Sequence, residues 1–272
     1  MEGDLEVIAG GTTGLIKLRA DSPFVEKAPY PNIQTVDYSL QDLRREYAAY
    51  ERLPQHPRLL QLHSDSTPER LVLPYLQNGC LHEFLRAPRD TSSGDSSSPG
   101  SSPTLSPHIP SSQRLQFAAD AAEGLTILHG VDIVHGDINS WNFLINDEFR
   151  LCIIDFSGST IDGEAGSAFE GYRYCLPRSF NDPSTVRTDL FALGSLLYEI
   201  ATSEAPYERS GDQEVVEYFE QGIFPPTQDI LLGSIILGCW QGAYESARAV
   251  HEDIGKQQSG SELDRGELLV GF

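Results

Sequence analysis

Positive charge is what this sequence has least of. Lys and Arg total 19 against 40 Asp and Glu in 272 residues, a formal net charge of −21. Nucleic acid and anionic lipid are held mainly by clustered Lys and Arg, so a surface of this sign repels both. The deficit excludes surfaces rather than sites, because a small basic pocket can still hold phosphate. Cysteine is scarce too. Cys80, Cys152, Cys175 and Cys239 lie far apart without a CxxC pair, which reads as free thiols in a reducing compartment rather than disulfides or zinc ligands. No apolar run reaches the ~20 residues of a membrane span, LLGSIILGCW being the nearest. The opening MEGDLEVIAG lacks the basic-then-apolar layout of a secretory signal, and the chain has no internal repeat. The expectation is a soluble intracellular protein, cytoplasmic before nuclear, that binds neither nucleic acid nor membrane.

Enough chain remains for one large domain or two lobes with a real core. Its front reads as short strands, DLEVIAGG, LIKLRA and PFVEKA, separated by turn residues. SLQDLRREYAAYERL then places Leu40, Leu43, Tyr47, Tyr50 and Leu53 at helical spacing, with Ser39 as N-cap and Pro54 as stop. RLLQLHS and RLVLPYL read as two further strands. Residues 88–113 are nearly all Ser, Pro, Gly, Asp and Thr, too little apolar surface to offset the entropy of ordering, and read as a disordered insertion. Ser98, Ser102 and Ser106 within it each precede proline; a plain spacer explains the stretch equally well. RLQFAADAAEGLTILHG follows as an amphipathic helix with Leu115, Ala118, Ala122, Leu125 and Leu128 on one stripe. The last third is mainly helical, including LLGSIILGCWQGAYESARAVHEDI.

The chemistry concentrates in HGDINSWNFLI and IIDFSG, joined by a short hairpin. Asp137, Asn142 and Asp155 then sit on loops at one end of neighbouring strands. Oxygen donors of this kind suit Mg²⁺, a hard ion that prefers carboxylates, amides, waters and phosphates. Two such ligands, Asn142 and Asp155, with a third carboxylate free to orient a hydroxyl, match what phosphoryl transfer from ATP requires. Each acid alone would more often be a loop cap; the three in this order favour a site.

These loops resemble those of eukaryotic protein kinases, and the resemblance runs end to end. HGDINSWN is similar to HRDLKxxN, and DFS at 155–157 to DFG. AGGTTGLI resembles the GxGxxGxV loop, with Gly11 and Gly14 in place and Ala9 for the first glycine. Its missing side chains let backbone N–H groups approach phosphates. Lys27 in FVEKA resembles the phosphate-holding lysine, and Glu46 its helix-borne partner. In LVLPYLQNGCLHEFL, Leu73 takes the gatekeeper place, while Pro74, Tyr75 and Leu76 offer backbone groups to adenine. Ile16, Val25 and Leu144 would sandwich the ring, although core packing explains them equally. GYRYCLPRS, TDLFALGSLLYEI with Asp189 and Gly194, PY at 206–207 and CW at 239–240 continue the order. The resemblance implies an α+β, two-lobed fold with an N-lobe over about 1–76, a C-lobe over about 77–254, and a tail over 255–272. It implies ATP and Mg²⁺ as cofactors, Asp137 as base and a protein hydroxyl as acceptor, Ser/Thr by default. Within the superfamily, RREYAAYERLPQHPRLL, HGDIN and IDFSGS look most similar to the expanded kinase-like proteins of filamentous fungi.

The departures matter as much. Gly136 replaces the HRD arginine, so capture of a phosphorylated activation loop is not expected. Ser157 replaces the DFG glycine, leaving Asp155 untouched. Arg178 replaces the APE glutamate, which suggests an inverted ion pair using Glu245 or Glu252. Asn139 stands where Ser/Thr kinases carry lysine, and Trp141 where Tyr kinases carry arginine. Asn139 can donate only a neutral bond to the γ-phosphate; a missing charge worth ~2–4 kcal/mol slows transfer ~30- to 1,000-fold. Gly171 replaces the threonine that would bridge that lysine to the catalytic Asp. The alternatives to a protein kinase are a nucleotide-binding pseudokinase and a small-molecule kinase.

Overall fold

Alternating apolar residues make strands of the first segments, as their patterning predicts. β1 (Leu5–Gly10), β2 (Leu15–Arg19), β3 (Phe24–Ala28) and β4 (Leu71–Pro74) pair in sequence order as one antiparallel sheet. The structure is a computed structural model and describes residues 5–10, 13–20, 22–31, 36–87 and 109–268. Lys27 lies opposite Ile16 on β2 and Leu71 on β4, and Val25 opposite Leu18 and Leu73. Directly paired residues share a sheet face, as do residues two apart. Ile16, Val25, Lys27 and Leu73 therefore line one face, which sets an apolar bed around a single cation.

Helix α1 (Val36–Arg52) begins a turn before Ser39, which is buried within it rather than capping it. Its buried face carries Leu43, Glu46, Ala49 and Tyr50 at three- and four-residue spacing. RLLQLHS does not form a ladder strand. Leu59 and Leu60 are buried, but the segment makes only an isolated bridge from Leu59 to Ile153 and a bond from His63 N–H to the Val72 carbonyl (2.9 Å). Side-chain burial there is met by packing between the two halves of the molecule, so the apolar pattern is present without sheet pairing.

The second half is helical: α2 (Leu81–Arg86), α3 (Ser111–His129), α4 (Val186–Thr202), α5 (Asp212–Glu220), α6 (Gly233–Gln241) and α7 (Ala247–Leu268). Two small antiparallel pairs lie among them. β5 (Ile133–Val134) joins β8 (Thr160–Ile161), and β6 (Phe143–Ile145) joins β7 (Leu151–Ile153). This is the α+β, two-lobed architecture that the resemblance implied, a sheet-bearing front half and a helical back half. α3 is not amphipathic: Phe117, Ala119 and Ala121 are buried as well as the expected stripe, because α7, α4 and β7 all pack on it. Its alanines let those neighbours approach. α3 starts at Ser111, inside the stretch read as insertion, while residues 88–108, with Ser98, Ser102 and Ser106, lie outside the described residues. The final helical run is broken: Gly242, at φ 77°, ends α6 before α7 begins, and α7 continues through residues 255–268 that were read as tail. Among the described residues no helix is long and apolar enough to cross a membrane.

Candidate functional site

The HGDINSWN loop is anchored from below. Thr185 caps α4 in a reciprocal bond pair with Thr188, which starts the helix so that Asp189 falls in its first turn. The buried Asp189 carboxylate accepts the N–H groups of His135 (2.8 Å) and Gly136 (2.9 Å) and lies 2.9 Å from His129 Nε2. His135 is buried as well, with Nε2 3.0 Å from the Ile154 carbonyl and Nδ1 accepting the Asp137 N–H at 3.2 Å. Those two contacts together require the tautomer protonated on Nε2. Gly136 has φ 78°, and a β-carbon there would meet Ser184 Oγ at 3.0 Å and Ala168 Cβ at 3.1 Å. The missing arginine thus has a local reason: the left-handed backbone strains any side chain, and a β-carbon there would have only tight contacts.

Both carboxylate oxygens of Asp137 are held. Asn139 Nδ2 donates to Oδ1 (2.9 Å) and to the Asp137 carbonyl (3.1 Å), while Asn142 Nδ2 donates to Oδ2 (3.0 Å) and to the same carbonyl (2.8 Å). Asn139 Oδ1 accepts the Trp141 N–H at 2.9 Å and caps the 3-10 turn Ser140–Asn142. Asn139 therefore fixes Asp137 and ties it to the turn that follows. Burial pushes the Asp137 carboxyl above the usual range, against the pull of His135 and the two amides.

Lys27 stands at the centre of the charges. It is buried and donates to Glu46 on α1 at 2.6 Å and to Asp155 at 2.8 Å. Burial lowers its affinity for the proton, but the two carboxylates outweigh that and hold it above the ordinary lysine value. Burial raises the Asp155 carboxyl, yet Lys27 and a bond from Ser157 Oγ (2.7 Å) dominate and bring it down to about 2. Ser157 is therefore a direct partner of Asp155, contrary to the reading that its substitution leaves Asp155 untouched.

A cavity of ≈ 370 Å³ opens between the sheet and the helical half. Gly14, Ile16, Val25, Lys27, Glu46, Leu73, Tyr75, Leu76, Leu144 and Asp155 line it, so those sequence candidates come together; Gly11 lies outside the described residues. Gly14 lies so close to β3 that a β-carbon would sit 2.6 Å from the Ala28 carbonyl. At the hinge, the Tyr75 N–H is committed to the Pro23 carbonyl (2.8 Å) and Pro74 has none. Among the described residues no partner falls to the Leu76 N–H, so Leu76, not Tyr75, supplies the free donor. Sequence reasoning put Tyr50 on the apolar spacing of α1 but not at the site; it lines the cavity, its buried hydroxyl has no partner among the described residues, and its ring meets Phe156 edge-on at 5.0 Å. Its place four residues after Glu46 on one helix face was the available signal.

A second cavity, ≈ 400 Å³, is lined by Asp137 with Asn139, Trp141, His82, Arg86, Gly171, Arg173 and Tyr174 among others; Asp137 and Asn142 are not on the wall of the first, and Trp141 lines both. Its floor is braced by the network of Arg86, Glu199 and Tyr174, with Tyr174 Oη donating to Glu199 at 2.6 Å. Arg178 ties the end of the same segment to its middle. Its guanidinium pairs with buried Glu170 at 2.7 Å and lies 4.6 Å over the Phe169 ring. The inverted ion pair exists, but its acid is Glu170; Glu245 and Glu252 are exposed.

With the lysine–glutamate pair, the held aspartate and the paired cavities in place, the class of the molecule is fixed by comparison. Residues 31–256 match the family model described as protein tyrosine and serine/threonine kinase, so the chain belongs to that family. It is 27% identical over 227 residues to the insulin-like growth factor 1 receptor of Xenopus laevis, covering 79% of this chain and 16% of that protein. It is 27% identical over 228 residues to the tyrosine-protein kinase Srms of Mus musculus (78% and 42%) and 29% identical over 134 residues to the serine/threonine/tyrosine-protein kinase HT1 of Arabidopsis thaliana (46% and 34%). The chain spans less than half the length of each of these relatives.

Proposed function

We propose that this chain is an active ATP-dependent protein kinase that transfers the γ-phosphate to a protein hydroxyl with Mg²⁺. The observation that carries the reading is the linked set of charges: Lys27 bonds Glu46 and Asp155 in the first cavity, Asn142 bonds Asp137, which lines the second, and Trp141 lines both. Lys27, fixed by Glu46, is the cation for the nucleotide phosphates. The Leu76 N–H and the apolar walls from Ile16, Val25 and Leu144 suit adenine; Gly14 on the cavity wall, and Gly11 on the strength of the sequence motif alone, are the glycines assigned to the phosphates. Asn142 turns its NH₂ to Asp137, which leaves its amide oxygen for a cation, and Asp155 stays ionised. These hard oxygen donors fit Mg²⁺, which would neutralise charge on the phosphates when bound. Asp137 accepts or orients the acceptor proton, and Asn139 positions Asp137.

Ser/Thr is the superfamily default for the acceptor. A protein acceptor is favoured over a small molecule because Tyr172, beside the second cavity, is 56% exposed and leaves that face open to a peptide. The four free cysteines, three of them buried, suit an intracellular setting, and HGDIN and IDFSGS support a place among fungal kinase-like proteins. One observation favours a nucleotide-binding scaffold instead: Arg86 and Arg173 beside Asp137 are paired with Glu199, Glu208 and Asp212, which leaves no spare cation at the acceptor side among the cavity's described residues. Transfer from γ-labelled ATP to a mixed set of protein acceptors, by wild type and Lys27→Met, separates the two. Label on protein from wild type alone supports the kinase; Mg·ATP binding without label supports the scaffold.

A further inference from the structure

One wall of the acceptor cavity is unexplained by phosphate chemistry. Trp141 is 53% exposed, yet its ring is stacked on one face and its backbone is held. Its indole stacks on the His82 ring with 3.9 Å between centroids and 19° between planes, and the backbone N–H of Trp141 donates to Asn139 Oδ1 at 2.9 Å, which holds the residue at the base of its side chain. His82 is fixed in turn, with Nδ1 3.0 Å from Ser140 Oγ and 3.4 Å from Glu199 Oε1. Trp141 lines both cavities, so its half-open ring lies at the border where a hydroxyl must meet the phosphate.

We propose that this aromatic shelf selects a tyrosyl side chain of a protein as the acceptor; the inference rests on the kinase reading of the same site. A flat ring gains from stacking on a fixed indole, and a phenol carries its hydroxyl at the far edge, beyond the shelf. Serine and threonine have no face to lay there. The cations of this cavity are neutralised by their own acids, so charge leaves little to discriminate with. Gly171 adds room, since the nearest atom to a β-carbon there would be Tyr174 Cδ2 at 4.0 Å. In the step itself the tyrosyl oxygen bonds to the γ-phosphorus, the bond to the β–γ bridging oxygen breaks, ADP leaves, and the phenolic proton passes to Asp137.

The test uses three peptides identical except for Tyr, Ser or Thr at the centre, with Mg·ATP and the full chain. Tyrosyl peptide is expected to exceed the others about tenfold or more in kcat/KM. Trp141→Ala is expected to lower that value about 2- to 10-fold, whereas Trp141→Phe, which keeps a ring, stays within about twofold of wild type. Equal or better use of the Ser or Thr peptide overturns the proposal while leaving the kinase reading intact. So does an equal loss in Trp141→Ala and Trp141→Phe. Should no peptide be phosphorylated, the emission of exposed Trp141, taken as wild type minus Trp141→Phe, is titrated with the same peptides in Mg·ADP. Quenching by the tyrosyl peptide alone supports the shelf and overturns the kinase reading; no difference among peptides overturns the shelf.

Discussion

Asp137 shows how far a single residue's surroundings decide its chemistry. Two amides and a histidine fix its carboxylate and backbone, while burial raises its affinity for the proton. A base must be unprotonated, so the rate of transfer should fall as pH drops through this raised value. The acid limb of the pH–rate profile is expected above the ~3.9 of an ordinary aspartate. Asp155 behaves oppositely. Its folded carboxyl holds a proton only below about 2, so its stabilising contribution is complete above the unfolded value near ~3.9 and is lost as pH falls toward 2. Ser157→Ala should move that titration upward, which carboxyl chemical shifts would register. Gly136 yields a third expectation. Restoring the arginine puts a side chain at φ 78° against Ala168 and Ser184, so Gly136→Arg should lower stability by at least ~1–2 kcal/mol in denaturant unfolding. The functional residues were legible at this scale because they came as a spaced set. Their partners were not: Glu170, Ser157 and the Pro23 carbonyl are chosen by folding, and no spacing rule names them.

At the scale of elements, two buried acids hold pieces of secondary structure together. Asp120 on α3 receives Arg58 (2.9 Å), Arg150 and the Leu151 N–H (2.9 Å), which ties the central helix to the segment before β4 and to the start of β7. Asp120→Ala would leave the nearly fully buried Arg58 with Glu123 (3.3 Å) and the Leu151 carbonyl (2.9 Å) as its remaining partners and is expected to cost ~1–3 kcal/mol. Arg178→Ala leaves Glu170 buried and unpaired, and should destabilise by ~3–5 kcal/mol; a melting curve of each variant decides. Strands and helices with a clear period were readable from sequence. RLLQLHS was misread because apolar packing looks the same with or without a sheet partner. α3 was misread as amphipathic because alanine does not announce whether a neighbouring helix covers it.

The whole molecule places a concentrated charge triad, Lys27 with Glu46 and Asp155, inside a chain whose net charge is −21. Mg·ATP bound there should raise the melting temperature, by the equivalent of ~4 kcal/mol at a thousandfold excess over Kd, and Lys27→Met should remove the effect. The two-lobed order was legible because motifs fall along the chain in a fixed sequence, whereas the distances between lobes had no local signal. The account's central claim is that Asp137 does chemistry rather than merely closing a loop. Its most direct measurement is transfer of labelled γ-phosphate to protein by wild type and by Asp137→Asn, each with Mg²⁺ and with Mg²⁺ chelated. The account predicts label from wild type with Mg²⁺ alone; equal label from both proteins, or none from either despite bound Mg·ATP, would contradict it.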